Sequence, residues 1–138
     1  MRSTARTGGA SKRIWVGRVL SAVAVLFMLF SGIIKLTRID PVVQSFNQLG
    51  YPLSLAVAIG LLELACVAVY VIPRTSLLGA ILLTGYLGGA VATHVRVGDP
   101  LFTHVLFPTY IGTLIWAGLY LRHDRLRTFV AELTAQAA

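Results

Sequence analysis

The chain has 138 residues, of which 57% are hydrophobic and 12% are charged, about half the charged fraction of an ordinary soluble domain. This composition excludes an ordinary water-soluble globule and indicates an integral membrane protein. The net charge of +7 arises from basic residues at the ends of apolar runs, so we expect these charges to meet the lipid bilayer and not nucleic acid.

The first long apolar run, residues 14–36, predicts a membrane-spanning helix with basic residues near both ends. Residues 1–13 are polar and basic, and we expect them to form a disordered cytoplasmic tail. A basic start before an apolar run also resembles a secretory signal. Because no A-x-A cleavage site follows this long run, we favour an uncleaved first helix.

Residues 53–72 predict the second span, which has a single ionisable group, Glu63, at its middle. Between the two spans, Asp40-Pro41 and Gly50 bound a short amphipathic helix that is too short to cross a membrane. Glu63 would lie roughly 15 Å from either interface, where an acidic side chain costs about 2.5–3.5 kcal/mol to insert. We therefore expect other parts of the protein to surround and compensate this carboxyl.

Residues 75–95 and 101–121 predict the third and fourth spans, and residues 122–138 an amphipathic cytoplasmic tail. The third span contains Gly85-x-x-x-Gly89, which allows close helix approach in membranes. We expect this pattern to pack within the monomer, with a homo-oligomer as the alternative. Pro108 in the fourth span predicts a kink, because proline cannot donate to the carbonyl of His104.

These elements together predict an all-α fold: an integral membrane antiparallel four-helix bundle over residues 14–121, with the short amphipathic helix between spans one and two. Four spans place both termini on one side, together with nine of the 12 Lys and Arg residues. The positive-inside rule then predicts a multi-pass protein of a bacterial inner membrane with both termini in the cytoplasm.

Polar groups at membrane depth gather toward the outer half of the spans, and they are the candidates for a ligand or proton pocket: Lys35, Glu63, Tyr86, His94, Arg96 and His104. Glu63 is open to two interpretations. It could carry a proton or anchor a bound head group, or it could be a structural carboxyl paired with Lys35 or bonded to Tyr86. Along ideal straight helices, Lys35 lies too far out to reach Glu63 unless the following loop dips inward.

This set of residues suggests two further chemistries, metal binding and quinone binding. His94 and His104 flank a short link that contains Asp99, but their spacing matches no strong metal pattern, so we predict no metal site and assign no catalytic residue. Quinone carbonyls need donors such as His, Tyr or Lys beside an apolar groove, which makes quinone the one cofactor that this set suggests. The single cysteine, Cys66, excludes an intramolecular disulfide, and we expect it to be a packing residue.

Three stretches resemble the DoxX-like family of small four-helix membrane proteins: FSGIIKL at residues 30–36, GLLEL at 60–64, and PRTSLLGAILLTGYLGGAVATHVRVGDP at 73–100. The family takes its name from a subunit of a thiosulfate:quinone oxidoreductase, so the resemblance implies a membrane role in quinone-linked or thiol redox metabolism. The matching polar positions are Lys35, Glu63, His94, His104 and Pro108.

The resemblance and the residues lead to one main functional hypothesis and two alternatives. The main hypothesis is an accessory or ligand-binding membrane subunit linked to quinone or thiol redox metabolism, working with a soluble or membrane redox partner. The first alternative is a membrane quinone oxidoreductase that uses Lys35, Glu63 and His94. The second is a small-solute transporter, although the sequence contains no inverted repeat.

Overall fold

The computed structural model describes residues 4–137, which are helical over most of their length and contain no strand. Residues 4–137 form six α-helices, numbered in chain order: α1 (Thr4–Thr37), α2 (Asp40–Gln48), α3 (Leu55–Val71), α4 (Ser76–Val97), α5 (Phe107–Arg122) and α6 (Asp124–Gln136). The all-α prediction is confirmed.

Four of these helices pack side by side. α1 packs against α3 and α5, and α4 packs against the same two helices, which gives the cyclic order α1, α3, α4, α5. One end of this bundle carries α2, the end of α1 and the start of α3, and we call it the α2 end. The other carries the α3–α4 turn and α6, and we call it the α6 end.

Three helical stretches are long and apolar enough to cross a membrane: Gly9–Thr37, Ser76–Val97 and Leu101–Arg122. The fourth, α3, is apolar but has only 17 residues. At about 1.5 Å per residue it is about 25 Å long, slightly less than a typical hydrocarbon core. The crossing of a membrane by all four helices therefore remains a prediction.

The N-terminal segment differs from the predicted disordered tail, because α1 already begins at Thr4. Arg13 provides a physical reason: it pairs with Asp124 Oδ1 at 2.7 Å and donates to the carbonyl of Leu121 at 3.3 Å. Once a helix is anchored, adding one further residue to its end costs little free energy, because the unfavourable nucleation step is already complete. Residues 1–3 of the predicted tail, and Ala138 of the C-terminal one, lie outside the described residues.

The predicted kink near Pro108 takes the form of a break between two helical segments. Leu101–Val105 forms a π-helical turn, and α5 then begins at Phe107. Pro108 thus stands in the first turn of α5, where a missing N–H leaves no helical hydrogen bond unmade.

Glycines in the bundle serve two different purposes. A Cβ on Gly79 would collide with the Tyr70 backbone, and one on Gly60 would come within 2.8 Å of the Gly32 carbonyl oxygen, so these glycines allow helices to touch. The predicted close packing of Gly85-x-x-x-Gly89 within the monomer is wrong. A Cβ on either glycine would meet nothing within 4 Å, because that face of α4 borders open space.

Candidate functional site

The open space beside α4 belongs to a cavity of about 710 Å³ at the α2 end of the bundle. Helices α1, α3, α4 and α5 form its walls, and Phe46 of α2 and Tyr51 of the following loop cover it. Most of the lining side chains are apolar. Such a volume and such a lining are typical of sites that hold small organic ligands.

Glu63 lies in the wall of this cavity and is only 1% exposed. Its Oε2 atom accepts hydrogen bonds from Lys35 Nζ at 2.8 Å, from the Tyr86 hydroxyl at 2.8 Å and from Ser31 Oγ at 3.4 Å. Two helices, α1 and α4, therefore contribute three donors to a single carboxylate oxygen on α3. The insertion cost of the buried charge is offset by this ion pair and its hydrogen bonds.

The direct contact between Lys35 and Glu63 corrects the depth argument made from straight helices. Side chains on a helix tilt toward its N-terminus, so in antiparallel neighbours they tilt in opposite directions. Lys35 therefore reaches back along α1 toward Ser31, while Glu63 reaches toward the start of α3. The contact between Gly32 and Gly60 brings the two backbones close enough for the side chains to meet.

The inward face of α3 continues from Glu63 through Cys66 to Tyr70, and all three are buried, as their helical spacing predicts. Cys66 is a free thiol that lines the same cavity. Tyr70 lies deeper, where its hydroxyl accepts from Ser21 and donates to the Ile115 carbonyl, each at 2.9 Å. Only the α2 end of this face therefore borders the cavity.

His94 lines the mouth of the cavity and pairs with the loop between α4 and the π-helical turn. Its Nδ1 lies 2.6 Å from Asp99 Oδ2, and Gln48 of α2 donates to Asp99 Oδ1 at 3.0 Å. The hydrogen bond from His94 is the main cause that lowers the pKa of Asp99 below its usual value. Asp99 thus connects the end of α4 to α2.

Two of the predicted site residues lie outside the lining of the cavity. Arg96 donates to the Leu49 carbonyl and its guanidinium lies 5.6 Å from the centre of the Tyr51 ring. It therefore fastens the loop that covers the cavity. His104 is exposed and bonds its neighbour Thr103, with its ring 5.8 Å from that of His94.

No group of three or more His, Cys, Asp or Glu side chains that could hold a metal ion occurs within residues 4–137. Of the six predicted site residues, four line the cavity: Lys35, Glu63, Tyr86 and His94.

Three further polar residues line the cavity but were not predicted from the sequence as site residues: Ser31, Tyr51 and Thr93. Ser31 stands four residues before Lys35, so its i,i+4 spacing on one helix face was a usable signal. Tyr51 and Thr93 bond each other at 3.0 Å across 42 positions of sequence. Nothing in the local pattern of either residue indicates that pair.

Comparison with known proteins identifies the family. A family model described as DoxX-like matches residues 19–118, a range that includes all six predicted site residues. No curated protein and no solved structure matches the chain significantly. Since the match covers well over half of the sequence, the chain belongs to the DoxX-like family.

Proposed function

We propose that this protein crosses the membrane four times and binds a lipid-soluble, quinone-type molecule in the cavity at its α2 end. The observation that carries the proposal is the cavity itself: about 710 Å³, mostly apolar, with one buried ion pair in its wall. Pockets of roughly 300–1,000 Å³ hold drug-sized ligands, with a few polar groups that fix their orientation.

Exposure of the helices supports the membrane part of the proposal. Large apolar side chains on α1, α3 and α4 are more than half exposed, among them Leu26, Phe30, Leu61, Leu62 and Ile81. Hydrocarbon is a better solvent than water for such surfaces. With α3 about 25 Å long, a slight thinning of the bilayer suffices for the fourth crossing.

The route to the cavity supports a ligand that arrives from the lipid phase. Leu62 and Ile81 line the cavity and also face outward from α3 and α4. Between them the glycines of α4 leave the wall without side chains. An apolar tail can therefore lie between α3 and α4 while a polar head reaches Glu63.

We further propose that the protein is an accessory subunit of redox metabolism, with both termini in the cytoplasm and the α2 end outside. The positive-inside count favours this orientation. The chain has one cysteine and no haem or iron–sulfur ligand pattern, which favours a partner subunit as the source of electrons.

Binding of decyl-ubiquinone and of its reduced form to the purified chain in detergent tests the proposal. Isothermal titration calorimetry should show saturable binding of at least one of the two forms. Glu63→Gln should weaken that binding by about tenfold or more, since it removes a buried charge from the site. Glu132→Gln, which alters an exposed carboxyl on α6, is the matched control and should bind as the native chain does.

If neither form binds, the proposed ligand class is wrong. Turnover of the quinone with an added electron donor, lost in Glu63→Gln, would instead indicate the oxidoreductase that uses Lys35, Glu63 and His94. Solute flux through proteoliposomes would indicate the transporter.

A further inference from the structure

We infer that the cavity selects amphiphiles whose head group donates hydrogen bonds, such as phenols and hydroquinones, over those whose head group only accepts them. This inference rests on the proposed function and concerns the same cavity. Its basis is the number of hydrogen-bond donors on the lining side chains that are not already bonded to other groups of the protein. Six of those side chains carry N–H or O–H donors: Ser31, Lys35, Tyr51, Tyr86, Thr93 and His94.

Lys35 offers three protons, and three acceptors surround it. Its Nζ donates to Ser31 Oγ at 2.5 Å, to Glu63 Oε2 at 2.8 Å and to the Ser31 carbonyl at 3.3 Å. An ammonium group has no further hydrogen to give and no lone pair with which to accept. A carbonyl group in the cavity therefore finds Lys35 already saturated.

The hydroxyl groups around Glu63 are also committed. Tyr86 donates its single proton to Glu63 Oε2 at 2.8 Å. Ser31 Oγ already accepts from Lys35, and its own proton is directed to Glu63 Oε2 at 3.4 Å, the weakest bond of the set. Both hydroxyl groups thus donate their protons to the same carboxylate oxygen.

The polar groups near the mouth follow the same pattern. Thr93 Oγ1 donates to the Gly89 carbonyl at 2.8 Å, so the Tyr51 hydroxyl must be the donor in its 3.0 Å bond to Thr93. His94 holds its Nδ1 proton against Asp99 Oδ2.

Acceptors remain open at the same time. All three hydrogen bonds that the described residues donate to Glu63 reach Oε2, and none of them reaches Oε1. Glu63 lines the cavity, so Oε1 is available to a donor there. A head-group hydroxyl can donate to it, whereas a quinone carbonyl beside Glu63 finds the Lys35 and Tyr86 donors already bonded and only the weak donor of the Cys66 thiol nearby.

A redox-inert pair of probes tests this inference: nonylphenol, which has one O–H donor, and its methyl ether, which has none. The affinity of the native chain in detergent should be about tenfold to a hundredfold higher for the phenol, the range expected for one hydrogen bond to a charged acceptor. Reduced decyl-ubiquinone should likewise bind more tightly than the oxidised form. Because the two probes also partition differently into micelles, the ratio of their affinities is compared between protein variants.

Ser31→Ala provides the sharper test, because it removes one acceptor of Lys35 and so releases one N–H into the cavity. This variant should bind oxidised decyl-ubiquinone several-fold more tightly than the native chain does, with little change for the phenol. Ser21→Ala, which alters the distant Ser21–Tyr70 bond, is the matched control and should leave both affinities unchanged.

The possible failures are distinct from one another. If none of the probes binds, the proposed function fails and takes the inference with it. If they bind, but the ether or the oxidised quinone binds as tightly as its donor counterpart, the cavity does contain free donors and this inference alone is overturned. An unchanged quinone affinity in Ser31→Ala overturns the proton count at Lys35.

Discussion

The α6 end of the bundle and the α2 end contain the same kinds of residue, glycine and hydroxyl side chains, but use them in opposite ways. At the α6 end, Gly79 lies against the Tyr70 backbone and Gly118 against Ser21, so neighbouring helices touch. At the α2 end, Gly85 and Gly89 border a cavity of about 710 Å³. Whether a glycine brings two helices into contact or borders a cavity therefore depends on whether another backbone lies opposite it.

Polar groups at the two ends differ in the same way. The Tyr70 hydroxyl is satisfied on both its donor and its acceptor side within a close-packed core. Glu63 has one oxygen, Oε2, that accepts three hydrogen bonds and another, Oε1, that accepts none from the described residues. The arrangement at Tyr70 stabilises the fold, whereas the arrangement at Glu63 leaves one carboxylate oxygen that can accept a hydrogen bond from a ligand. Four experiments test this difference between the two ends.

The largest expected effect comes from breaking the ion pair at the α2 end. Lys35→Met leaves Glu63 buried without its cation, which should lower the free energy of unfolding by about 3–5 kcal/mol. Unfolding titrations in mixed micelles measure this loss. The additional change Glu63→Gln, which removes the uncompensated charge, should restore most of the stability.

The matched control is the ion pair at the α6 end, between Arg13 and Asp124, whose carboxylate side chain is 71% exposed. Asp124→Asn should cost less than about 1 kcal/mol, because solvent screens an exposed pair. Equal losses at the two ends would mean that Glu63 is not held in a low-dielectric environment.

The next effect concerns the close-packed glycines. Gly79→Ala places a methyl group against the Cα and N atoms of Tyr70, which cannot move as a side chain can. We expect a loss of about 1–3 kcal/mol in the free energy of unfolding, the usual range for overpacking. Gly89→Ala, in the same helix, meets nothing within 4 Å and should be unchanged in the same titration. A loss of equal size in Gly89→Ala would show that the cavity wall is packed.

Hydropathy predicted the helices well, because apolar runs and their polar ends are local properties of the sequence. The inward face of α3 is predictable for the same reason, since Glu63, Cys66 and Tyr70 follow helical spacing. The start of α1 is not, because residues 4–13 have no apolar pattern. Their helix is anchored by Arg13 through contacts more than 100 positions away.

The site was predictable only in its composition. Lys35, Glu63, Tyr86 and His94 stood out as polar groups in apolar helices, but their meeting depends on side-chain tilt and on the close approach of Gly32 and Gly60. Counting depth along straight helices omits both effects. Gly85 and Gly89 illustrate a second limit, since a G-x-x-x-G pattern is the same in sequence whether a helix or a cavity lies opposite.

Filling the cavity tests the α2 end directly. Gly89→Leu adds a side chain that occupies part of the space in which we propose that the ligand lies, so affinity for decyl-ubiquinone or its reduced form should fall by about tenfold or more. Gly88→Leu is the matched control, because Gly88 is the neighbouring residue and does not line this cavity. Calorimetry on both variants measures the difference. Equal losses in both would indicate that the ligand lies elsewhere.

The smallest effect concerns the bond network at the mouth. The pKa of Asp99 is lowered in the folded chain, chiefly by the hydrogen bond from His94, so the ionised carboxyl contributes stability that is fully present above the ordinary aspartate pKa of about 3.9. As the pH falls below that value and then through the lowered pKa, this contribution is lost. Asp99→Asn should therefore melt below the native chain at neutral pH, and the two melting temperatures should converge as the pH falls below about 4. The matched control is Asp40→Asn, a change to an exposed carboxyl in α2, whose melting temperature should follow that of the native chain at every pH. If the melting temperatures of Asp99→Asn and the native chain still differ in acid, the role of Asp99 does not depend on its charge.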